Sequence, residues 1–434
     1  MKKPVILVVI VLTAGLLLSE YLLGQEKAVR LKKAEYTLVE ETNAGTNVTH
    51  TYFGPKQEDN SEFPTIAIEG PAITGVRKST RVLFYDDEFN LISEHPGGGA
   101  YISKNSNYVG IRRPEGEGPT GYPTKLIFEL YDRQGIFRWS KELPSIHEYH
   151  ERFYVADNGL VVGVHPKGTV ITFYNEDGEE VKKADIFGDM KWLRGRGYWG
   201  DFSADGKYFA FTTSGILRSD KQLPQINVKS VAIMFTTDGE ELWRFHPDEA
   251  QSQGIVLSPS GNYAVASYVD FYYRRLKSGD RGVYLLDGDG RLIRKYKDIH
   301  ADQVQFSSSG AYVMLVIDGR ERVLLVETDT GDIVFDFKPS GKDIFAMDIA
   351  EKGELIGLVI DYGNGRYPPD YPSWSKPQVL ILNYEGGLLW SRQFAYIGES
   401  LIRNLSIRLS DSGNQVTVGI GDKVYKFSLD QTEK

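Results

Sequence analysis

No cysteine occurs among the 434 residues. That excludes a disulfide framework, thiol chemistry and a lipid-modified cysteine behind a leader. Histidine is scarce, with seven in the chain. No His-x-His or Glu-x-x-His spacing is present, so no metal ligands are assigned. His95, His147, His150, His246 and His300 are placed in connections between strand groups, with structural or solvent-facing roles. Positive charge is in deficit, 50 Lys and Arg against 59 Asp and Glu, for a formal net charge of -9. Nucleic acid is thereby excluded as the partner, because phosphate binding draws its affinity from a basic surface. There is no Gly-x-Ser-x-Gly elbow and no pair of carboxylates whose spacing indicates acid-base work. No catalytic residue and no cofactor is accordingly expected. Asp287-Gly288-Asp289-Gly290 has the opening of a calcium loop without its later acidic ligand, and is read as a hairpin turn. Long helical stretches are also missing after the N-terminus.

What the chain does have begins with Met1-Lys2-Lys3 and an apolar run from Pro4 to Leu18. A charged start followed by an apolar stretch is the pattern of an export signal. Glu20 interrupts the run short of the ~20 apolar residues a spanning helix needs. Residues 1–24 are therefore read as a cleaved signal peptide or a retained membrane anchor, residues 25–34 as a linker, and residues 35–434 as one domain. The expected location is outside the cytoplasm, periplasmic or membrane-anchored.

The remainder is rich in aromatic residues, 12%, and holds 45 glycines, which suits many short strands joined by tight turns. His300 to Phe337 shows the unit. Val304–Phe306, Ala311–Ile317, Arg322–Glu327 and Asp332–Phe337 are four apolar strands separated by Ser/Asp/Gly turns. One such sheet cannot hide either face alone. Its first turn follows an apolar-small pair that recurs as Ile102-Ser103, Val155-Ala156, Phe202-Ser203, Leu257-Ser258, Phe306-Ser307, Ile349-Ala350 and Leu409-Ser410, roughly 50 residues apart. Asp, Asn and Ser cap such turns locally, and Gly takes the positive φ a hairpin requires. A second turn recurs between these, at Asp132–Gly135, Asn175–Gly178, Thr237–Gly239, Asp287–Gly290, Thr328–Gly331 and Tyr384–Gly387. Trp139, Trp243 and Trp390, with Phe335 in the same place, follow a Gly by four residues. An aromatic at that offset on an outermost strand can lie across the next unit and close the joint.

The element Phe306-Ser307-Ser308-Ser309-Gly310-Ala311-Tyr312, preceded by His300-Ala301-Asp302, resembles that of WD-repeat propellers. Thr237-Asp238-Gly239 with Trp243 resembles the quinoprotein-like (PQQ-like) repeat. The resemblance spans Arg81 to Leu429 and implies an all-β β-propeller of four-stranded antiparallel blades. The adjacent cysteines of quinoprotein alcohol dehydrogenases are absent, as are the Asp-boxes of sialidase-like propellers. The last strand, Lys423–Leu429, has no fourth partner after it, and an open edge invites aggregation. Val48–Phe53 and Thr65–Glu69 supply the first two strands for Arg81–Tyr85, which makes eight blades, with the segment near Tyr36–Val39 closing the ring. Seven blades is the alternative, because Val48–Glu69 carries no clear repeat signature.

Short turns fall on one face of the disc, and the long connections fall on the other. Three of these long segments mix aromatic and basic residues: Trp192, Arg194 and Tyr198; Tyr272, Arg274 and Arg275; Tyr367 and Trp374. Such residues carry much of the energy of protein interfaces and also stack on sugars. They are the candidate binding residues of a non-catalytic exported scaffold for a protein or glycan partner in the cell envelope. The alternative is a propeller enzyme, a hydrolase, lyase or quinoprotein-like oxidoreductase. It would show an axial funnel lined by groups such as Asp201, His147, His150 and His300.

Overall fold

The computed structural model describes residues 36–43, 48–53, 65–69, 81–85, 91–97, 100–104, 106–116, 125–143, 152–165, 170–186, 192–217, 228–247, 251–269, 282–340, 342–361, 374–394, 397–398, 405–420 and 423–429. Eight four-stranded antiparallel sheets and one two-stranded sheet account for the strands among them. Blade 1 is Val48–Phe53, Thr65–Glu69, Arg81–Tyr85 and Leu91–Pro96. Blade 2 runs from Ala100 to Leu143, blade 3 from Arg152 to Asp185, blade 4 from Trp192 to Phe245 and blade 5 from Gln251 to Lys297. Blade 6 runs from Ala301 to Phe337 and blade 7 from Asp343 to Gln393. Blade 8 is Leu405–Leu409, Gln415–Ile420 and Lys423–Leu429, completed on its outer edge by Tyr36–Asn43. Tyr36 lies opposite Leu429 and Asn43 opposite Lys423. The N-terminal strand thus closes the ring and covers the edge that the last strand would expose.

Local chemistry explains why the blades repeat. In the first hairpin, the buried serine of the apolar-small pair accepts a hydrogen bond from the backbone N–H five residues on. Ser103 does so from Tyr108, Ser203 from Tyr208, Ser258 from Tyr263 and Ser410 from Gln415, each at 3.0 Å, and Ser307 from Tyr312 at 3.1 Å. Blade 3 has Ala156 in this place, and its turn closes one residue sooner, with Ala156 N–H bonding to the Leu160 carbonyl. In the outer hairpin an Asp or Asn side chain holds the turn from within. Asp287 Oδ1 accepts from the N–H of Asp289 at 3.0 Å and of Arg291 at 2.8 Å. That carboxylate oxygen is committed to the turn, in keeping with the hairpin expected there. Gly290 adopts φ 78° at its tightest point, where a side chain would be strained.

Among the described residues the buried apolar clusters lie between blades. Seven apolar clusters each span one joint between neighbours, from Val82, Phe84, Val109 and Tyr131 across blades 1 and 2 to Val359, Ile381, Ile407 and Phe427 across blades 7 and 8. Each fully buried Phe, Leu, Ile or Val contributes ~1.5–3 kcal/mol of transfer free energy, so stability resides between repeats. The outer-strand aromatics act as expected. A Cβ on Gly178 would meet the Trp139 ring at 2.6 Å, one on Gly290 would meet Trp243 at 2.7 Å, and one on Gly386 would meet Phe335 at 2.8 Å. Trp390 lies 5.2 Å from Phe427 of blade 8.

Two expectations are corrected. The stretch holding Trp192, Arg194 and Tyr198, expected as a loop, is the first strand of blade 4, Trp192–Phe202, paired with Tyr208–Leu217. Its alternation of large and small residues supports pairing, while the run of glycines introduces register shifts. His95 is not in a connection but within Leu91–Pro96, opposite Val82.

Candidate functional site

In five blades the innermost strand carries an equivalent residue just before the apolar-small pair: Asp201 in blade 4, Val256 in blade 5, Gln305 in blade 6, Asp348 in blade 7 and Arg408 in blade 8. Two of these are aspartates, and both tie their blade to the next. Asp201 Oδ2 accepts from the backbone N–H of Leu257 at 2.8 Å. Asp348 Oδ2 accepts from the N–H of Leu409 at 2.7 Å. A carboxylate on a backbone N–H is a charge-assisted bond, stronger than a neutral one.

Around Asp348 the site is closed. Its side chain is fully buried, Gln305 donates an amide N–H to its other oxygen, and Arg408 stands 3.7 Å away. Around Asp201 the site is open, with a quarter of the side chain exposed. Lys104 reaches from blade 2 to donate to Asp201 Oδ2 at 2.9 Å and to the carbonyls of Leu257 at 2.7 Å and Phe202 at 3.2 Å. This ammonium spans the axis and has three acceptors, the full complement of an ammonium.

Two cavities flank Lys104. The smaller, about 410 Å³, lies toward the short-turn face among Ala204, Pro259, Phe306, Ser308 and Arg408. On that face Glu351 accepts from Ser309 N–H at 2.8 Å and from the Ser308 hydroxyl at 3.2 Å. Burial pushes the Glu351 carboxyl up, but the Ser309, Ser307 and Ser308 donors outweigh it and hold the group below the usual carboxylate range. The larger cavity, about 610 Å³, lies toward the starts of the inner strands and is lined by Trp199, Asp201, Gln253, Ser267, His300 and Asp302. His300 Nδ1 is 3.6 Å from Asp302 Oδ1, and Asp302 Oδ2 accepts from the Arg320 N–H at 3.0 Å. Trp199 is 45% exposed, and the Arg152 guanidinium lies 4.4 Å from the centre of its ring.

The axis therefore brings together two of the four residues named for a funnel, Asp201 and His300. His147 and His150 lie outside the described residues. Among the described residues no three His, Asp or Glu side chains are grouped to hold a metal ion, and no helix is long and apolar enough to cross a membrane. Residues 1–34, with their expected leader and linker, lie outside the described residues. So do Tyr272, Arg274, Arg275 and Tyr367. The backbone of Trp192, Arg194 and Tyr198 is in the long first strand of blade 4. Trp374 begins a two-residue strand that pairs with Ile397–Gly398, joining the long loop of blade 7 to the connection into blade 8. Lys104, Trp199 and Asp348 were missed in the sequence. Aligning the seven apolar-small pairs would have exposed Asp201 and Asp348 as equivalents.

No protein-family profile matches the sequence, and no curated protein matches it. Solved structures do. The C-terminal WD40 domain of Sif2 superposes with a TM-score of 0.54 at 10% identity, over 92% of this chain and 99% of that one. The Dos1 propeller gives 0.53 at 11% identity, over 91% of this chain and 96% of that one. The fold is a WD40-like β-propeller. At such identity the likeness concerns the scaffold, and function has to be argued from the site.

Proposed function

We propose that this WD40-like propeller is a non-catalytic interaction scaffold, exported by its N-terminal segment, that docks a protein or glycan of the cell envelope through its long-loop face. The observation that carries this reading is the shape of blade 4. Its first three strands have 11, 10 and 9 residues, against six residues for each of the same strands in blade 6. At ~3.3 Å per residue, the extra length lifts a paired hairpin above the disc on the side where the long connections lie. Trp192 and Arg194 are at its far end. Recognition surfaces on rigid scaffolds take this form, with long segments projecting from a repeat whose own side chains are occupied in turns and joints. The recurring serines, aspartates and aromatics are so occupied, which fits a frame better than a reaction centre.

A photo-reactive amino acid placed singly at Trp192, Tyr272 and Tyr367 in the cell, with Leu292 and Leu388 on outer strands as comparison positions, tests the docking face. The same partner captured from the face positions and not from the outer strands is the expected result. Capture from the outer strands alone, or none from the face, overturns it. A reporter active only outside the cytoplasm, fused after Leu429, should be active, and an inactive one removes export from the proposal.

A further inference from the structure

The larger axial cavity has a feature that the docking reading does not use. Trp199, one of its lining residues, is 45% exposed. A large aromatic surface left open at a rigid position carries an energetic cost that a purely structural role would remove by burial. Arg152 lies 4.4 Å from the ring centre, and a cation there orients and stiffens the indole. The ring is a platform for a flat apolar surface.

The polar groups beside it are suited to hydroxyls. Asp201 uses Oδ2 for both Leu257 N–H and Lys104, and Oδ1 has no hydrogen-bond partner among the described residues. Gln253 supplies an amide with a donor and an acceptor, and the His300–Asp302 pair supplies both kinds of group 3.6 Å apart. The cation at the floor, Lys104, is already shared among a carboxylate and two carbonyls. It leaves no uncompensated positive charge for an anion, and the nearby Asp201 and Asp302 repel one. A volume of about 610 Å³ falls within the ~300–1,000 Å³ of small-molecule sites.

From this juxtaposition of an open indole, an amide and a free carboxylate oxygen in a cavity whose lysine is already paired, we propose that the axial cavity binds a small neutral carbohydrate, with a sugar ring laid on Trp199 and its hydroxyls bonded to Asp201, Gln253 and His300. No bond is made or broken. The cavity opens on the side of the long-loop face, but its lining residues Trp199, Asp201, Gln253 and His300 are not the positions tested for docking, so either proposal can fail alone.

The test is a calorimetric titration of the purified propeller with maltose, cellobiose, lactose and N,N′-diacetylchitobiose, with glucose 6-phosphate as the anionic arm. Binding of at least one neutral disaccharide with a Kd of about 1 mM or tighter is expected. Trp199→Ala should weaken it at least about tenfold, Gln253→Ala should weaken it in the same direction, and Trp199→Phe should retain most of it. Thermal unfolding of the Trp199 variants should match the parent, since the side chain is half open. No neutral disaccharide bound up to about 10 mM, affinity unmoved by both Trp199→Ala and Gln253→Ala, or tighter binding of glucose 6-phosphate would each overturn the proposal. If Trp199→Ala does not fold, Gln253→Ala and Trp199→Phe still decide it.

Discussion

The joint between blades 4 and 5 and the joint between blades 7 and 8 are made with the same residue at the same place. In each, an inner-strand aspartate accepts the backbone N–H of the apolar residue in the next blade, Leu257 from Asp201 and Leu409 from Asp348. Their surroundings differ. Asp348 is sealed by Gln305, Arg408 and an apolar cluster that includes Ile407, Leu409 and Val418. Asp201 faces a cavity, and its joint, though it has an apolar cluster of its own, also carries a buried polar strip. Thr212 Oγ1 donates to the Val231 carbonyl at 3.0 Å and lies 2.9 Å from Ser252 Oγ, while Ser214 Oγ accepts from Ser252 N–H at 2.6 Å. One tie in the repeat thus holds the disc in one place and holds it while presenting a free oxygen in the other. Equivalence in the repeat sets the bond, and the neighbouring blades decide whether the carboxylate is also accessible to a ligand.

The comparison is broken most severely at Asp348. Asp348→Ala removes a fully buried carboxylate from between the Leu409 N–H, the Gln305 amide and Arg408. Removing one member of a buried charged set costs ~3–5 kcal/mol. Urea unfolding should show the midpoint falling by that amount. A change below about 1 kcal/mol would show that Asp348 adds little to the joint.

Asp201→Ala should cost less, ~1–2 kcal/mol, because its side chain is a quarter exposed and water can take over the Leu257 N–H. Lys104 also keeps its two carbonyl acceptors. Equal losses for Asp201→Ala and Asp348→Ala, measured in the same urea series, would remove the distinction between an open and a closed tie.

Lys104→Met sharpens the same contrast from the other side. The ion pair it breaks is partly exposed, 29% for the lysine side chain and 25% for Asp201, so screening limits its worth to less than about 1 kcal/mol. Unfolding should therefore change little. The double variant Lys104→Met with Asp201→Ala should be no less stable than Asp201→Ala alone, since the lysine is no longer left near a missing partner. Additive losses in that cycle would show that the two residues act independently.

The ring was legible in the sequence to the extent that chemistry repeats along the chain. Gly178 and Gly290, with the tryptophans four residues past the preceding Gly, mark the outer joints because a tight turn and a ring both impose a residue type. The eighth blade followed from an unpaired last strand, whose edge Tyr36–Asn43 covers. The strand nature of Trp192–Tyr198 was hidden because glycines at 195 and 197 suggest a loop, whereas here pairing with Thr212–Leu217 is kept through register shifts. The axial site was only half legible. Asp201 and His300 lie about 100 residues apart and meet only when the disc closes. Lys104 joins them from blade 2, over a distance in sequence that no motif records. The lysine's turn, Ser103–Tyr108, makes the same serine bond as the first hairpins of blades 4, 5, 6 and 8.

The joint between blades 1 and 2 supplies a third case, in which the polar side chain at the joint is an imidazole. His95 packs edge-on against Phe84 at 5.5 Å and lies 4.2 Å from Tyr131 of blade 2, with Nε2 3.2 Å from Ser93 Oγ. Burial lowers its pKa below the usual histidine value, against the smaller opposing influence of the Gly135 backbone and of Glu129 and Glu94. The folded protein therefore favours the neutral ring more than the unfolded chain does. At pH values between the lowered pKa and ~6.5, the unfolded chain binds more protons, so this contribution to stability grows with rising pH. It is fully present above ~6.5 and is lost as the solution is acidified. His95→Phe keeps an aromatic ring between Phe84 and Tyr131 but removes the proton. Stability measured from about pH 5 to pH 8 should then rise less steeply for the variant than for the parent. Identical slopes would mean that the imidazole is as easily protonated in the folded joint as in the open chain.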